Sequence, residues 1–265
     1  MKKIKYLTTD QFLNHDYFKS ENNLNRLAKE YIESKIKRDG YYSYNGYPSV
    51  TTVLGMMDPN KDFILAKWRK KLIQQGFDPD EVTENYAKVG TACHYAILSR
   101  LTVDEIEPPN WKLEEYPPHC EEYVNNALMM WNILTAGNPP VLDISDAKCE
   151  QYHKHDVEGE QFAGIYDLYA LCNGKRTLFD LKTSPRARDS YFLQLGAYSM
   201  FFPVLPERAG IINICPDNRN PTLQPHVSML NQEELINCRN GWLHMIRAWH
   251  ILFDDKLPIV EKPVV

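Results

Sequence analysis

The chain has 265 residues and a mass of 30.9 kDa, with 43% hydrophobic and 25% charged side chains, a balance that excludes a disordered, collagen-like or coiled-coil protein. Its net charge of −5 is unevenly spread: residues 1–76 hold 14 Lys and Arg against 8 Asp and Glu, and the rest hold 16 against 27. A basic leading segment on an acidic body suits contact with a polyanion, although a solvated helical surface accounts for the charge alone as simply.

In chain order, residues 8–38 predict a helix, with Phe12, Phe18, Leu24, Leu27, Tyr31 and Ile32 at helical spacing. Asn45-Gly46, flanked by Tyr41, Tyr42, Tyr44 and Tyr47, predicts a tight hairpin. Ser49, Thr51 and Thr52 offer N-caps for a short helix ending near Gly55. Asp58-Pro59-Asn60 predicts a turn. Residues 61–75 then form a basic helix containing Lys67, Trp68, Arg69, Lys70 and Lys71. Asp78-Pro79-Asp80 opens a further helix through His94 to about Leu101, with acidic residues in its first turn. A Pro-rich loop over 102–118 and a helix over 119–134 complete this half.

The period then changes. Residues 141–153, 161–172 and 176–181 alternate as strands, with turns at Gly159 and Asn173-Gly174, giving an antiparallel meander. A helix over 187–202 is stopped by Pro203. Short strands follow over 209–215 and 224–229, then a long amphipathic helix over 232–253 and an extended tail with Pro258 and Pro263. The expected fold class is α/β (α+β) in one domain over 1–265. It has a mostly helical basic part over 1–135, a sheet over 140–230, and a helix with tail over 231–265. The longest apolar run, Tyr198 to Leu205, is broken by Pro203 and is too short for a membrane span. The polar opening MKKIKYLTTD carries no secretory apolar stretch, so a cytoplasmic monomer is expected. Six scattered cysteines without a CxxC pair predict free, mostly buried thiols.

The residues that carry chemistry are Asp167, in Gly164-Ile165-Tyr166-Asp167, and Asp180 with Lys182, in Phe179-Asp180-Leu181-Lys182-Thr183. On adjacent strands joined by a tight turn the two carboxylates can meet, and Asp180 and Lys182, two apart, share a strand face. Two carboxylates and a lysine suit metal-assisted phosphodiester hydrolysis: carboxylates bind Mg²⁺, a hard cation, and a lysine stabilises developing charge. Alone, D-x-K also describes a strand end with a surface ion pair. Gly90-Thr91-Ala92-Cys93-His94 adds a helical histidine, and Gln194-Leu195-Gly196-Ala197-Tyr198 puts Gln and Tyr four apart on one helical face. His153 and His155 sit two apart on a strand and read as a solvent-exposed strand end rather than a metal site. Cys93 beside His94 does not face it on a helix.

The ordered series G-T-x-x-H, G-x-x-D, D-x-K-T and Q-x-x-x-Y resembles the RecB-like branch of the PD-(D/E)XK nuclease superfamily. The segment Tyr47-Pro48-Ser49-Val50-Thr51-Thr52-Val53-Leu54, followed by Trp68, is similar to the opening signature of bacteriophage exonucleases and the mitochondrial genome maintenance exonuclease. The resemblance covers roughly residues 40–200. It implies a central mixed sheet flanked by helices and a Mg²⁺- or Mn²⁺-dependent DNA exonuclease. His94, Asp167, Asp180 and the Leu181 carbonyl would then ligate the metal, and Lys182 would be the catalytic lysine. Gln194 and Tyr198 would orient DNA or brace the lysine, and Glu150 is the candidate first-strand acidic residue. The DNA-binding expectations are Tyr47, Ser49, Thr51, Lys67, Trp68, Arg69, Lys70, Lys71 and Thr183. Trp68 fits a base-stacking residue and a buried residue of an amphipathic helix equally. No iron–sulfur cluster is expected, because Cys215 and Cys238 are isolated. The expected partner is single-stranded DNA, with replication or recombination proteins beside it and no membrane. The alternatives are a structure-specific endonuclease on the same core and a non-catalytic DNA-binding protein; a degenerate member would have lost Asp180 or Lys182.

Overall fold

The structure, a computed structural model, describes residues 43–44, 47–57, 61–102, 117, 120–184, 187–214 and 225–253. The expected helix over 8–38, the turns at 45–46 and 58–60, most of the 102–118 loop, Cys215 and the tail lie outside the described residues.

Strands β1 (Ser43–Tyr44) and β2 (Tyr47–Pro48) pair antiparallel, as the Asn-Gly signal predicts. Helix α1 (Val50–Met57) follows, capped by Ser49, whose Oγ accepts from the Thr52 N–H at 3.1 Å. It continues past Gly55, where the sequence suggested its end. Helices α2 (Lys61–Gln74), α3 (Pro79–Leu98) and α4 (Cys120–Thr135) come next. Asp78 caps α3, accepting from the Asp80 N–H at 2.9 Å, with Pro79 in the first turn, where its missing N–H costs nothing.

The sheet is built from β3 (Ile144–His155), β4 (Phe162–Cys172), β5 (Lys175–Lys182), β6 (Arg208–Asn213) and β7 (His226–Leu230), hydrogen-bonded in that order. The first three form the predicted antiparallel meander. The β4–β5 turn is Asn173-Gly174, both at positive φ (49° and 74°), the combination that matches strand twist in a two-residue hairpin. Helix α5 (Asp189–Ser199) lies between β5 and β6 in the chain, and those two strands run parallel, so the sheet is mixed. The α5 helix ends at Ser199 with Met200 as its C-cap, short of Pro203. Helix α6 (Gln232–Phe253) closes the described chain with the predicted bounds. Among the described residues no helix is long and apolar enough to cross a membrane.

Helices cover both sheet faces. On one, Val50, Leu195, Leu235 and Trp242 of α1, α5 and α6 bury Phe162, Tyr166, Leu178 and Ile211. On the other, Ile97, Leu98, Ala127 and Trp131 of α3 and α4 bury Cys149, Leu168, Ala170, Phe179 and Leu181. Burying such side chains stabilises the fold by roughly 1.5–3 kcal/mol each. The five described cysteines, Cys93, Cys120, Cys149, Cys172 and Cys238, are free and buried, as expected.

The face assignment changes partway along β3 and β4. Leu168, Ala170 and Cys172 belong to the α3–α4 core, but Phe162 and Tyr166, also even-numbered, belong to the α5–α6 core. On β3, Cys149 faces the first core, whereas His153 stacks on Tyr166 at 5.4 Å in the second. Strict alternation forbids this without a local break. On β3 the break is Glu150, at φ 47°, a left-handed conformation costly for a side chain with a Cβ. By register it lies between the pairs Cys149–Leu168 and Gln151–Tyr166, directly across from Asp167.

The helix crossing that seats α5 depends on Gly196. A Cβ there would lie 2.5 Å from the Cys238 carbonyl carbon and oxygen on α6. Gly196→Ala is therefore expected to destabilise the chain by about 1–3 kcal/mol through overpacking against backbone. Thermal unfolding followed by circular dichroism measures it, and an unchanged midpoint would show that the crossing can loosen.

Candidate active site

The β4–β5 pairing stops at Leu168–Phe179. One step further the same register sets Asp167 against Asp180, where the strands part. Asp167 bridges the opening: its Oδ2 accepts from the Leu181 N–H at 2.7 Å. β5 stays paired with β6 through Lys182–Asn213, so it is β4 that departs. Ser49 makes a parallel bridge to Ala163 on the departing half of β4.

Asp180 has no exposed surface, and Lys182 Nζ stands 2.7 Å from its Oδ2. This contact is a charge pair rather than an aligned hydrogen bond, and Oδ1 has no hydrogen-bond partner. Burial pushes the Asp180 carboxyl up to about 7; Lys182 opposes this and Asp167 adds to it. Asp167 is likewise raised by burial, against the pull of Lys182 and the Leu181 N–H. For Lys182, burial favours the neutral amine, but Asp180 and Asp167 outweigh it, so its pKa is raised and it stays an ammonium. The ammonium also donates to Gln194 Oε1 at 3.2 Å, and Gln194 Nε2 donates to Tyr198 OH at 2.9 Å. The Q-x-x-x-Y pair is thus buried and joined to the lysine through Gln194.

His94 reaches this end of the sheet from α3, its Nδ1 3.7 Å from Asp167 Oδ1, with 22% of its side-chain surface still exposed. Burial and the Lys182 charge lower its pKa to about 4, against Asp180 and the Leu181 backbone, so the ring is neutral at pH 7. The contact with Asp167 is then a meeting of a neutral ring and a carboxylate. Burial and the Asp167 charge raise the Glu150 carboxyl. Thr183 lies against α3, 3.5 Å from where a Cβ on Gly90 would stand.

A divalent cation is the group the sequence resemblance implies. The donor chemistry suits one: two carboxylates, a neutral imidazole, a nearby backbone carbonyl, and a buried Asp180 oxygen without a hydrogen bond. As the side chains stand, no three His, Cys, Asp or Glu groups among the described residues form a metal-holding cluster. Asp180 is engaged by Lys182, and Asp167 by the Leu181 N–H.

The expected DNA-binding residues are dispersed. Ser49 is buried as a cap, while Thr51 is exposed. Tyr47 lies under Lys154, 5.2 Å from ammonium to ring centroid. On α2, Lys67, Lys70 and Lys71 are exposed and Trp68 and Arg69 half-buried. Arg69 pairs with Asp80 at 2.7 Å, and Asp80 is fourteen residues before His94 on α3, about 21 Å along the helix. His153 and His155 are not a solvent-exposed strand end. They pack on Tyr166, Phe201 and Phe162, because the break at Glu150 turns them toward the α5–α6 core. Burial holds the Cys93 thiol up at about 12, which makes it a poor nucleophile.

Three residues of the site were not read from the sequence. The Tyr191 ring carries the Lys182 ammonium at 4.8 Å, and its hydroxyl lies 3.3 Å from Ser184 Oγ. Asn213, beside Lys182 on β6, donates to the Ser184 carbonyl at 3.1 Å. Tyr191 precedes Gln194 by three, one helical face, and Asn213 is a polar residue closing the apolar run Ala209–Ile212; both signals were present. Gly164 of G-x-x-D leaves room for Tyr198, whose Cε1 would be 2.8 Å from a Cβ at that position.

No known family model matches the chain, and no curated protein does. Among solved structures it is similar to SSO0001, at 12% identity over 90% of this chain and 96% of that one, with a TM-score of 0.38. At that score the likeness carries no argument.

Proposed function

We propose that this chain is a metal-dependent DNA exonuclease of the PD-(D/E)XK superfamily, acting on single-stranded ends. The observation that carries this reading is the fully buried Asp180 with the part-buried Asp167 and Lys182 at the point where β4 and β5 part, the ammonium held between Asp180, Gln194 and Tyr191. A buried carboxylate–lysine pair is a weak means of stabilising a fold, since desolvation offsets most of the attraction. Perturbed groups gathered in this way are more readily explained by chemistry.

Mg²⁺ or Mn²⁺ held by Asp167, Asp180, His94 and the Leu181 carbonyl would polarise the phosphate and acidify a bound water. The remaining roles fall to the side chains. Lys182 supplies a fixed positive charge and a donor at the scissile phosphate, where negative charge grows. Gln194 directs that donor, because its Nε2 is committed to Tyr198 and only Oε1 faces the lysine. His94, neutral at working pH, offers a lone pair and no competing positive charge.

The purified chain with Mg²⁺ or Mn²⁺ should degrade end-labelled linear single-stranded DNA and spare a closed circle of the same sequence. Rapid cutting of the circle favours the endonuclease alternative. Binding without cleavage under either metal favours the non-catalytic one. His94→Ala is expected to weaken Mn²⁺ binding more than Mg²⁺ binding, because imidazole suits Mn²⁺ better. Calorimetry showing unchanged Mn²⁺ affinity would make His94 a packing residue.

A further inference from the structure

We infer that Tyr191 is a positioning residue for Lys182, its ring seated beneath the ammonium by a tie that runs through Ser184 to Asn213 on β6. The role rests on the nuclease reading and adds to that site a residue outside the D-x-K and Q-x-x-x-Y motifs. Lys182 Nζ stands over the Tyr191 ring, 4.8 Å from its centroid. A ring face attracts a cation through its quadrupole, most strongly where water is sparse, and the Lys182 side chain is only 19% exposed.

Helix α5 supplies this ring in register with the rest of the lysine's surroundings. Tyr191, Gln194 and Tyr198 stand at i, i+3 and i+7, one helical face. Gln194 Oε1 accepts from the ammonium at 3.2 Å, and Tyr198 OH accepts from Gln194 Nε2 at 2.9 Å. With Asp180 on β5, a carboxylate, an amide oxygen and a ring face all meet at one ammonium. The ring attracts the charge as a whole and competes weakly for its three N–H groups. It therefore holds the ammonium in place and leaves those donors to oxygen acceptors, a phosphate among them.

What aims the ring is its hydroxyl. The Tyr191 and Ser184 hydroxyls share a hydrogen bond at 3.3 Å, and the Ser184 carbonyl accepts from Asn213 Nδ2 at 3.1 Å. Asn213 pairs with Lys182 across the parallel β5–β6 ladder, and the next residue, Ile214, donates its N–H to the Lys182 carbonyl at 2.7 Å. The lysine backbone and the tyrosine ring are thus both fixed to the end of β6, a strand buried from Ala209 to Asn213. Asn213 is a poor choice for strand stability: its Oδ1 is buried without a hydrogen-bond partner, a cost that an apolar side chain avoids. What the amide provides, and an apolar residue does not, is the hold on Ser184.

The full-length chain tests this with and without substrate. In NMR spectra the ring current of Tyr191 should move the Lys182 ε-methylene protons upfield, an effect that persists in Tyr191→Phe and vanishes in Tyr191→Leu. On end-labelled single-stranded DNA with Mn²⁺, Tyr191→Leu should lower kcat about tenfold with KM unchanged. Tyr191→Phe should recover most of that loss, the remainder reporting the hydroxyl tie. Asn213→Leu, which leaves the ring in place, should lower kcat severalfold without moving KM. Wild-type kcat in Tyr191→Leu, a loss carried by KM, or a Phe variant as poor as the Leu variant would overturn the positioning role while leaving the nuclease reading standing. Lys182 ε-proton shifts that are the same in the unsubstituted chain and Tyr191→Leu would overturn it without any assay of cleavage. An unsubstituted chain that shows the upfield shift but cuts no DNA with Mg²⁺ or Mn²⁺ would overturn the nuclease reading, and the role with it.

Discussion

Lys182→Ala is expected to lower DNA cleavage on the order of 100- to 1000-fold or more while leaving metal and DNA binding close to wild type. The asymmetry follows from the division of labour at the end of β5. The carboxylates of Asp167 and Asp180 supply anionic oxygens, whereas Lys182 supplies a positive charge whose geometry is fixed on three sides. Asp180 stands 2.7 Å from the ammonium, Gln194 Oε1 stands 3.2 Å away, and the Tyr191 ring lies at 4.8 Å. A charge positioned in advance stabilises a transition state without reorganising, and water cannot replace it. Lys182→Arg should fail nearly as badly. The guanidinium is planar and longer, and the space between carboxylate, amide and ring is shaped for an ammonium. Gln194→Ala should lower the rate less, since it frees the ammonium to rotate but keeps its charge. Single-turnover rates on end-labelled DNA, beside binding measured in Ca²⁺, separate the two effects. A Lys182→Ala protein that keeps more than a tenth of the rate would remove this residue from the chemistry.

Much of the frame was legible because its signals are local. The meander follows from alternating strands and from Asn173-Gly174, whose positive φ values the turn requires. The shared side of Asp180 and Lys182 needs only the two-residue strand period. The Gln194–Tyr198 pairing needs only the helical one. Other features depend on what packs where. Alternation puts His153 and His155 on one side of β3, but it says nothing about which side is covered. The covered side is set by Glu150, whose left-handed backbone no propensity would suggest. The parting of β4 from β5 at Asp167 has no sequence signal either, since β4 continues as a good strand former on both sides of it. The basic helix α2 was readable as a helix, but its distance from the carboxylates depends on the Arg69–Asp80 pairing, which is tertiary.

Asp180→Asn is expected to abolish cleavage and, in chelator, to make the chain more stable at pH 8 than the unsubstituted protein. The carboxyl is fully buried and its pKa is raised from 3.8 to about 7, chiefly by that burial. Between those values the native state holds a proton that the unfolded chain has released. Stability from this group is therefore present at low pH and falls as pH rises through the window, by up to about 1.4 kcal/mol per unit. Asp167, raised for the same reason, contributes with the same sign. His94 contributes with the opposite sign. Its pKa is lowered to about 4, so between there and its ordinary 6.5 the unfolded chain binds the extra proton and stability rises with pH. The protein's own pH profile is then a partial cancellation, and the difference between it and Asp180→Asn isolates the carboxyl. That difference should be small near pH 4 and grow toward pH 7 to roughly 1–4 kcal/mol in favour of the amide. The ion pair with Lys182 limits the gain, since the amide leaves the ammonium with Gln194, Tyr191 and Asp167 for company. Adding Mn²⁺ should reverse the order, because a cation bound by the ionised carboxylate stabilises only the protein that has one. Denaturant unfolding at several pH values, with chelator and then with Mn²⁺, reads both effects. A difference that stays flat from pH 4 to 8 would mean that Asp180 is ionised throughout and serves as a structural partner of Lys182. An Mn²⁺ effect equal in the two proteins would remove Asp180 from the metal ligands.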